Sequence, residues 1–268
     1  MKRTYYDDIA QIYDRTRWLT PSVAEDVADF IINLTGATSK TTFLEPGVGT
    51  GLNVLPLVKR GYSVTGIDVS EAMLAQFRQK FNELPTNLNL IHADASQLPL
   101  SDDSFDVVST VHMIHTVTNW KAFLDDIVRV LKFGGYYLNC QWITPPARKE
   151  FEEYYRSILS EFKNSKQELK RVNNTFEKID VAGYLNSKGY VSKYFIAKEW
   201  EVTNTVEELL SYFKARAYGL CWLDDEIFDD TMNKFEAFCV KHYGSLKTVV
   251  ASQAKFEIWA YKISELEI

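Results

Sequence analysis

Directly behind the short apolar run Thr42-Phe43-Leu44 the chain reads Glu45-Pro46-Gly47-Val48-Gly49-Thr50-Gly51, an acid followed by three alternating glycines. Glycine lacks Cβ and tolerates positive φ, so such a loop lets backbone approach a ligand closely at the mouth of the following helix. A strand that runs through a glycine loop into a helix predicts a βαβ unit, and hence a parallel sheet covered by helices. The dinucleotide fingerprint GxGxxG needs its third glycine at position 52, which is Leu52. The spacing is GxGxG instead, and a nicotinamide cofactor loses its main support.

The alternation of short apolar runs with helical periods continues downstream. Strands are expected at 63–68, 88–91 and 105–110, with a helix over 71–84 between the first two. Trp120, Phe123, Leu124, Ile127, Val128 and Leu131 recur at helical spacing, and Gly134-Gly135 is read as the stop before a strand at 136–142. After Pro145-Pro146 a charged, Phe- and Tyr-rich stretch without glycine (148–171) predicts a helical cap. A helix at 176–187, a strand at 190–203, helices at 206–217 and 225–242 and a last strand at 248–263 follow. The expectation is an α/β, Rossmann-like seven-stranded, mostly parallel sheet with helices on both faces and a helical cap. Its divisions are a core with an N-terminal lid (1–145), a cap segment (146–175), core completion (176–204), a second cap segment (205–245) and the last core strand (246–268).

Among the 268 residues, 30 Lys and Arg stand against 36 Asp and Glu, a formal charge of −6 that argues against a phosphate-backbone partner. Cys140, Cys221 and Cys239 form no CxxC pair, which speaks against a zinc site and a disulfide framework and for a reducing cytoplasm. Met1-Lys2-Arg3 leads into polar residues rather than a signal-peptide core, and no apolar run is long enough to span a membrane. Oligomeric state has no signature here.

Two further acids each close a strand, at the sheet edge where open α/β folds bind ligands. Asp68 follows Val64-Thr65-Gly66-Ile67, where a carboxylate can accept from both hydroxyls of a ribose; as a bare structural alternative it could cap the next helix, as could Ser70. Asp94 follows Ile91-His92-Ala93 and can accept from an exocyclic adenine amine. In order and spacing, Glu45 to Gly51, Gly66-Ile67-Asp68-Val69-Ser70 and Ala93-Asp94-Ala95 resemble the class I S-adenosylmethionine-dependent methyltransferases. The likeness runs through Leu98-Pro99-Leu100-Ser101-Asp102-Asp103-Ser104-Phe105-Asp106-Val107-Val108 to Arg129-Val130-Leu131-Lys132-Phe133-Gly134-Gly135, features of the small-molecule branch that includes quinone-ring methyltransferases. Phe133 stands where that family usually has proline.

The resemblance implies S-adenosyl-L-methionine as cofactor and S-adenosyl-L-homocysteine as product. Glu45 would meet the methionine amino group, Gly47, Gly49 and Gly51 would line the cofactor, and Asp68 would hold the ribose. Asp94 would take the adenine amine beside the backbone of Ala95, with Leu52, Val69 and Met73 as apolar walls. Tyr13 would cover the cofactor as part of an N-terminal lid, and Arg17 would approach its carboxylate. His112 and His115 follow the fourth strand, which passes under the methyl group in this family; neutral imidazole there could accept or orient an acceptor proton. The pair has no third local ligand for a metal. Trp142, Arg171 and Arg216 are the candidates for gripping an aromatic or anionic small-molecule acceptor. The competing readings are a methyltransferase acting on protein and a non-catalytic cofactor-binding or scaffold protein. Ser109-Thr110-Val111-His112 lacks the polar-Pro-Pro-aromatic signature of adenine-amine nucleic-acid methyltransferases.

Overall fold

The computed structural model describes residues 5–162, 179–219 and 225–263. Five strands run parallel: β1 (Thr42–Pro46), β2 (Ser63–Asp68), β3 (Leu88–His92), β4 (Phe105–Val111) and β5 (Leu131–Ile143). Strand β6 (Ser192–Thr205) and β7 (Val249–Lys262) complete a seven-stranded sheet of order β3-β2-β1-β4-β5-β7-β6, in which β7 pairs antiparallel with both neighbours. The strand order reverses between β1 and β4, which opens a crevice at their carboxyl ends.

Period-two alternation assigns neighbouring residues to opposite faces. Phe43, Val107 and Leu138 face one core with helices α2 (Pro21–Thr35), α3 (Leu55–Lys59) and α4 (Glu71–Arg78). Leu44, Val108 and Tyr137 face the other, against α5 (Trp120–Val130) and α7 (Val181–Ser187). Thr20 caps α2 by accepting from Val23 N–H, with Pro21 in the first turn and Gly36 at φ 64° ending the helix. Asn119 caps α5 in the same way, accepting from Ala122 N–H.

Helices α6 (Pro146–Phe162), α8 (Val206–Gly219) and α9 (Asp225–Tyr243) bury a separate apolar cluster that includes Phe151, Leu209, Met232 and Phe235. Both cap-like regions therefore share one core. The N-terminal α1 (Tyr5–Ile9) lies across α4 and α8, its Ile9 and Ala10 packed on Met73.

Several element bounds differ from the sequence reading. Helix α4 ends at Arg78 rather than near 84, and the helix expected from 176 is described from Val181. Gly134-Gly135 is no helix stop: α5 passes straight into β5, and the pair lies inside that strand. Gly134, at φ 81°, donates to Ile263 C=O while Gly135 C=O accepts from Ile263 N–H. A Cβ on Gly135 would meet Asp106 and Lys132 carbonyl oxygens at 2.8 Å, so glycine lets β5 bend against both neighbours. Among the described residues no helix is long and apolar enough to cross a membrane.

Gly51 has φ 74°, and a Cβ there would stand 2.3 Å from the fully buried Phe77 ring. Left-handed strain and overpacking add, so Gly51→Ala is expected to cost about 2–4 kcal/mol of unfolding free energy in urea denaturation. A loss below about 1 kcal/mol would contradict this packing.

Candidate active site

The loop after β1 is fastened from beneath by β2. Gly47 and Val48 N–H both donate to Ile67 C=O, at 2.7 and 3.0 Å, and Gly49 N–H donates to Asp68 Oδ2 at 2.7 Å. Asp68 Oδ1 accepts from Ser70 N–H at 2.8 Å. Ser70, rather than Asp68, caps α4 by accepting from Met73 N–H at 3.2 Å. Asp68 thus ties the glycine loop to the start of α4 and keeps lone pairs for a ligand. Its pKa is raised by burial, against the lowering effect of those backbone donors.

A cavity of about 330 Å³ opens over this edge. Gly47, Gly49, Asp68, Val69, Met73, Asp94 and Ala95 bound one side, and Tyr6 and Tyr13 of the lid bound another. A Cβ on Gly49 would meet nothing, which leaves room for a ligand against the backbone, whereas Gly47 backs onto Met113. Asp94 is exposed and turns its Oδ1 to Ser96 N–H at 2.8 Å, holding the loop after β3 in a tight turn.

The lid is pinned to the same loop. Ser70 Oγ donates to Asp7 at 2.6 Å, Asp14 accepts from Thr50 Oγ1, and Lys80 pairs with Asp14 at 2.6 Å. Arg17 lies 4.0 Å over the Tyr13 ring.

Glu45 is 1% exposed and lies beneath the loop, outside the cavity lining. Asn53 Nδ2 donates to one of its oxygens at 3.0 Å and Ser109 Oγ to the other at 3.4 Å. Burial pushes its carboxyl up to about 8. Neither hydrogen bond is announced by spacing in the sequence.

His112 directly follows β4 at φ 51°, a left-handed backbone for a non-glycine residue, and its ring stays open to the cavity. Nε2 sits 2.7 Å from Trp142 N–H and 2.9 Å from Trp142 C=O. In one tautomer it accepts from the N–H and in the other it donates to the carbonyl, so Nδ1 is the nitrogen left for a ligand. Crowding by protein, assisted by the nearby Arg17 and His115 charges, holds His112 down to about 4 despite the Trp142 carbonyl.

Several candidate residues stand elsewhere. Gly51 faces Phe77 rather than the cavity, and Arg17 borders a small neighbouring hollow with Trp18 and Arg148. His115 lines a different cavity, described below, and desolvation lowers its pKa. Trp142 does not grip an acceptor from a cavity wall: it is 4% exposed, its even position on β5 turning it into the core against Trp18 and beside His112. Arg171 and the side chain of Arg216 lie outside the described residues. Sequence reading missed Met113 and Thr118 as cavity walls. Among the described residues no group of three His, Cys, Asp or Glu side chains is placed to hold a metal ion.

Residues 44–139 match the family model described as a methyltransferase domain. The demethylmenaquinone methyltransferase of Clavibacter sepedonicus is 32% identical over 159 residues, which span 57% of this chain and 64% of that protein. The phosphatidylethanolamine N-methyltransferase of Cereibacter sphaeroides is 38% identical over 94 residues, 34% of this chain and 46% of the relative. The solved structure of the [4+2]-cyclase SpnF superposes with a TM-score of 0.53 at 16% identity, covering 97% of this chain and 93% of the cyclase; that likeness concerns the fold alone. Over residues 44–139 the chain thus matches a methyltransferase domain, and demethylmenaquinone methyltransferases are among the relatives it resembles.

Because the folded state raises the Glu45 pKa from 4.5 to about 8, it holds the acid form more tightly than the unfolded chain does. That contribution is complete below the unfolded value and is lost as pH rises through the folded one. Between about pH 5 and about pH 8, the melting temperature of Glu45→Gln is expected to fall less than that of the wild type. Parallel curves from calorimetry would refute the burial argument.

Proposed function

We propose that this chain, built on a class I methyltransferase domain, transfers a methyl group from S-adenosylmethionine to a small-molecule acceptor in the cytoplasm. The observation that carries the reading is the convergence of Gly47, Gly49, Asp68 and Asp94 on one cavity at the carboxyl edge of β1, β2 and β3.

The residues present suit that cofactor. Asp68 accepts from the ribose hydroxyls while still holding the loop, and Asp94 accepts from the adenine amine beside Ala95, with Val69 and Met73 as apolar walls. Tyr13, with Arg17 stacked on its ring, closes over the bound nucleoside. Glu45, a buried acid, becomes a carboxylate when an ammonium group compensates its charge. When bound, the sulfonium supplies an electrophilic methyl group. The protein then has to align an acceptor, exclude water and take a proton where the acceptor carries one. His112 is neutral at physiological pH and, held at Nε2, offers Nδ1 for that task in either tautomer.

Calorimetric titration separates this reading from the alternatives. S-Adenosylhomocysteine and S-adenosylmethionine are expected to bind in the micromolar range and NAD and NADP not at all. Absence of sulfur-nucleotide binding to folded protein overturns the proposal, and tight binding without turnover on any acceptor favours the scaffold reading. Near neutral pH, binding should release protons as Glu45 ionises, seen as a buffer-dependent enthalpy that Glu45→Gln abolishes. Asp68→Ala should weaken binding by roughly 1–3 kcal/mol, about 5–150-fold; unchanged affinity would remove Asp68 from the site. With an acceptor in hand, the pH profile should show no His112 inflection at the ordinary histidine value of about 6.5.

A further inference from the structure

A second cavity, of about 360 Å³, adjoins the cofactor cavity at His112 and Met113, which line both. Its floor is the face of the sheet on which Asn139 and Gln141 of β5 alternate away from the buried Leu138 and Cys140, with Trp259 of β7 beside them. His115 hangs over it from the loop after β4, and Asp180 and Ala182 at the start of α7 form its rim.

Resting on the methyl-transfer reading above, we infer that this second cavity seats the acceptor, and that it takes an uncharged or ammonium-bearing molecule with a flat apolar body rather than an anion. In-line displacement puts the acceptor on the side of the methyl group opposite the sulfur, so the acceptor chamber has to abut the cofactor cavity. The cavity that meets the cofactor cavity at His112 and Met113 satisfies that condition, and His112 stands where a proton would have to leave.

The lining sets the chemical class. Trp259, Ile114 and Ile179 offer apolar surface, and the amides of Asn139 and Gln141 offer both donors and acceptors. Among the described residues no Lys or Arg lines the cavity, and the one carboxylate there is Asp180, which accepts from Gly183 N–H at 2.8 Å while capping α7. Both histidines are held below their ordinary value by desolvation and add no cation near neutral pH. An anionic acceptor would meet repulsion from Asp180 and find no counter-charge among the described residues; an ammonium would gain an ion pair. The hollow bordered by Arg17 and Arg148 is no rival, because its volume of about 40 Å³ has room for little more than water.

Tyramine and 4-hydroxyphenylacetate share a phenol ring and carry opposite charges, which makes them direct probes. Saturation-transfer NMR on protein loaded with S-adenosylhomocysteine is expected to show tyramine binding roughly threefold or more tighter, the scale of one partly exposed ion pair. Ala182→Trp, which fills the rim, should abolish the tyramine signal while leaving S-adenosylhomocysteine affinity unchanged; that affinity also reports on folding. Asp180→Asn keeps a capping side chain and removes the charge, so it should erase the preference for tyramine over the acid. The inference fails if tyramine binding survives Ala182→Trp, if the carboxylate probe is preferred, or if neither probe binds the loaded protein. Failure to load S-adenosylhomocysteine at all strikes the methyl-transfer reading instead.

Discussion

The carboxylate of Asp68 is the point on which the working edge of this molecule depends. One oxygen receives Gly49 N–H from the glycine loop and the other receives Ser70 N–H from the start of α4, so one side chain fixes two backbone segments that belong to different βα units. Buried donors of this kind need partners, and the carboxylate supplies them at charge-assisted strength. Gly66, two residues earlier, supports the same joint: a Cβ there would strike the Val48 methyl groups at 2.8 and 2.9 Å, lifting the loop from the sheet. Ser70 extends the connection outward, because its hydroxyl donates to Asp7 of the lid while also capping α4. Loop, helix and lid therefore share one polar chain.

Around that joint the chain keeps two groups that are ill at ease without a ligand. Glu45 is buried with only two neutral donors, which raises its pKa far into the neutral range. His112 occupies a left-handed backbone position at the end of β4. Groups held in such states cluster where ligands or reactions compensate them. The backbone of Trp142 explains how His112 is kept in place: β4 has stopped pairing at Val111, and the imidazole takes over the next rung toward β5. The ring thereby comes to border both cavities.

Much of the fold was legible because its signals are local. Glycine spacing, strand-end acids and the helical period of α5 each express a constraint within a dozen residues, and together they give the parallel half of the sheet and the edge over which the cavity opens. The reading of Gly134-Gly135 as a helix stop went astray for the opposite reason. The need for glycine there comes from Asp106, Lys132 and Ile263, two of which are distant in sequence. Trp142 misled in a similar way, since an aromatic residue near a sheet edge carries no mark of the face it occupies.

The sequence by itself determined the βαβ order, the glycine loop and the acids at the carboxyl edge of β1, β2 and β3, because backbone conformation and alternation are written in neighbouring residues. Only the tertiary structure decided that Glu45 lies under the loop, that Ser70 relieves Asp68 of capping, that His112 is braced by Trp142, and that a second cavity, whose one carboxylate among the described residues is Asp180, adjoins the cavity over the glycine loop. Those outcomes depend on which side chains meet across the sheet, and burial, charge and hydrogen-bond partners are properties of that meeting rather than of any segment.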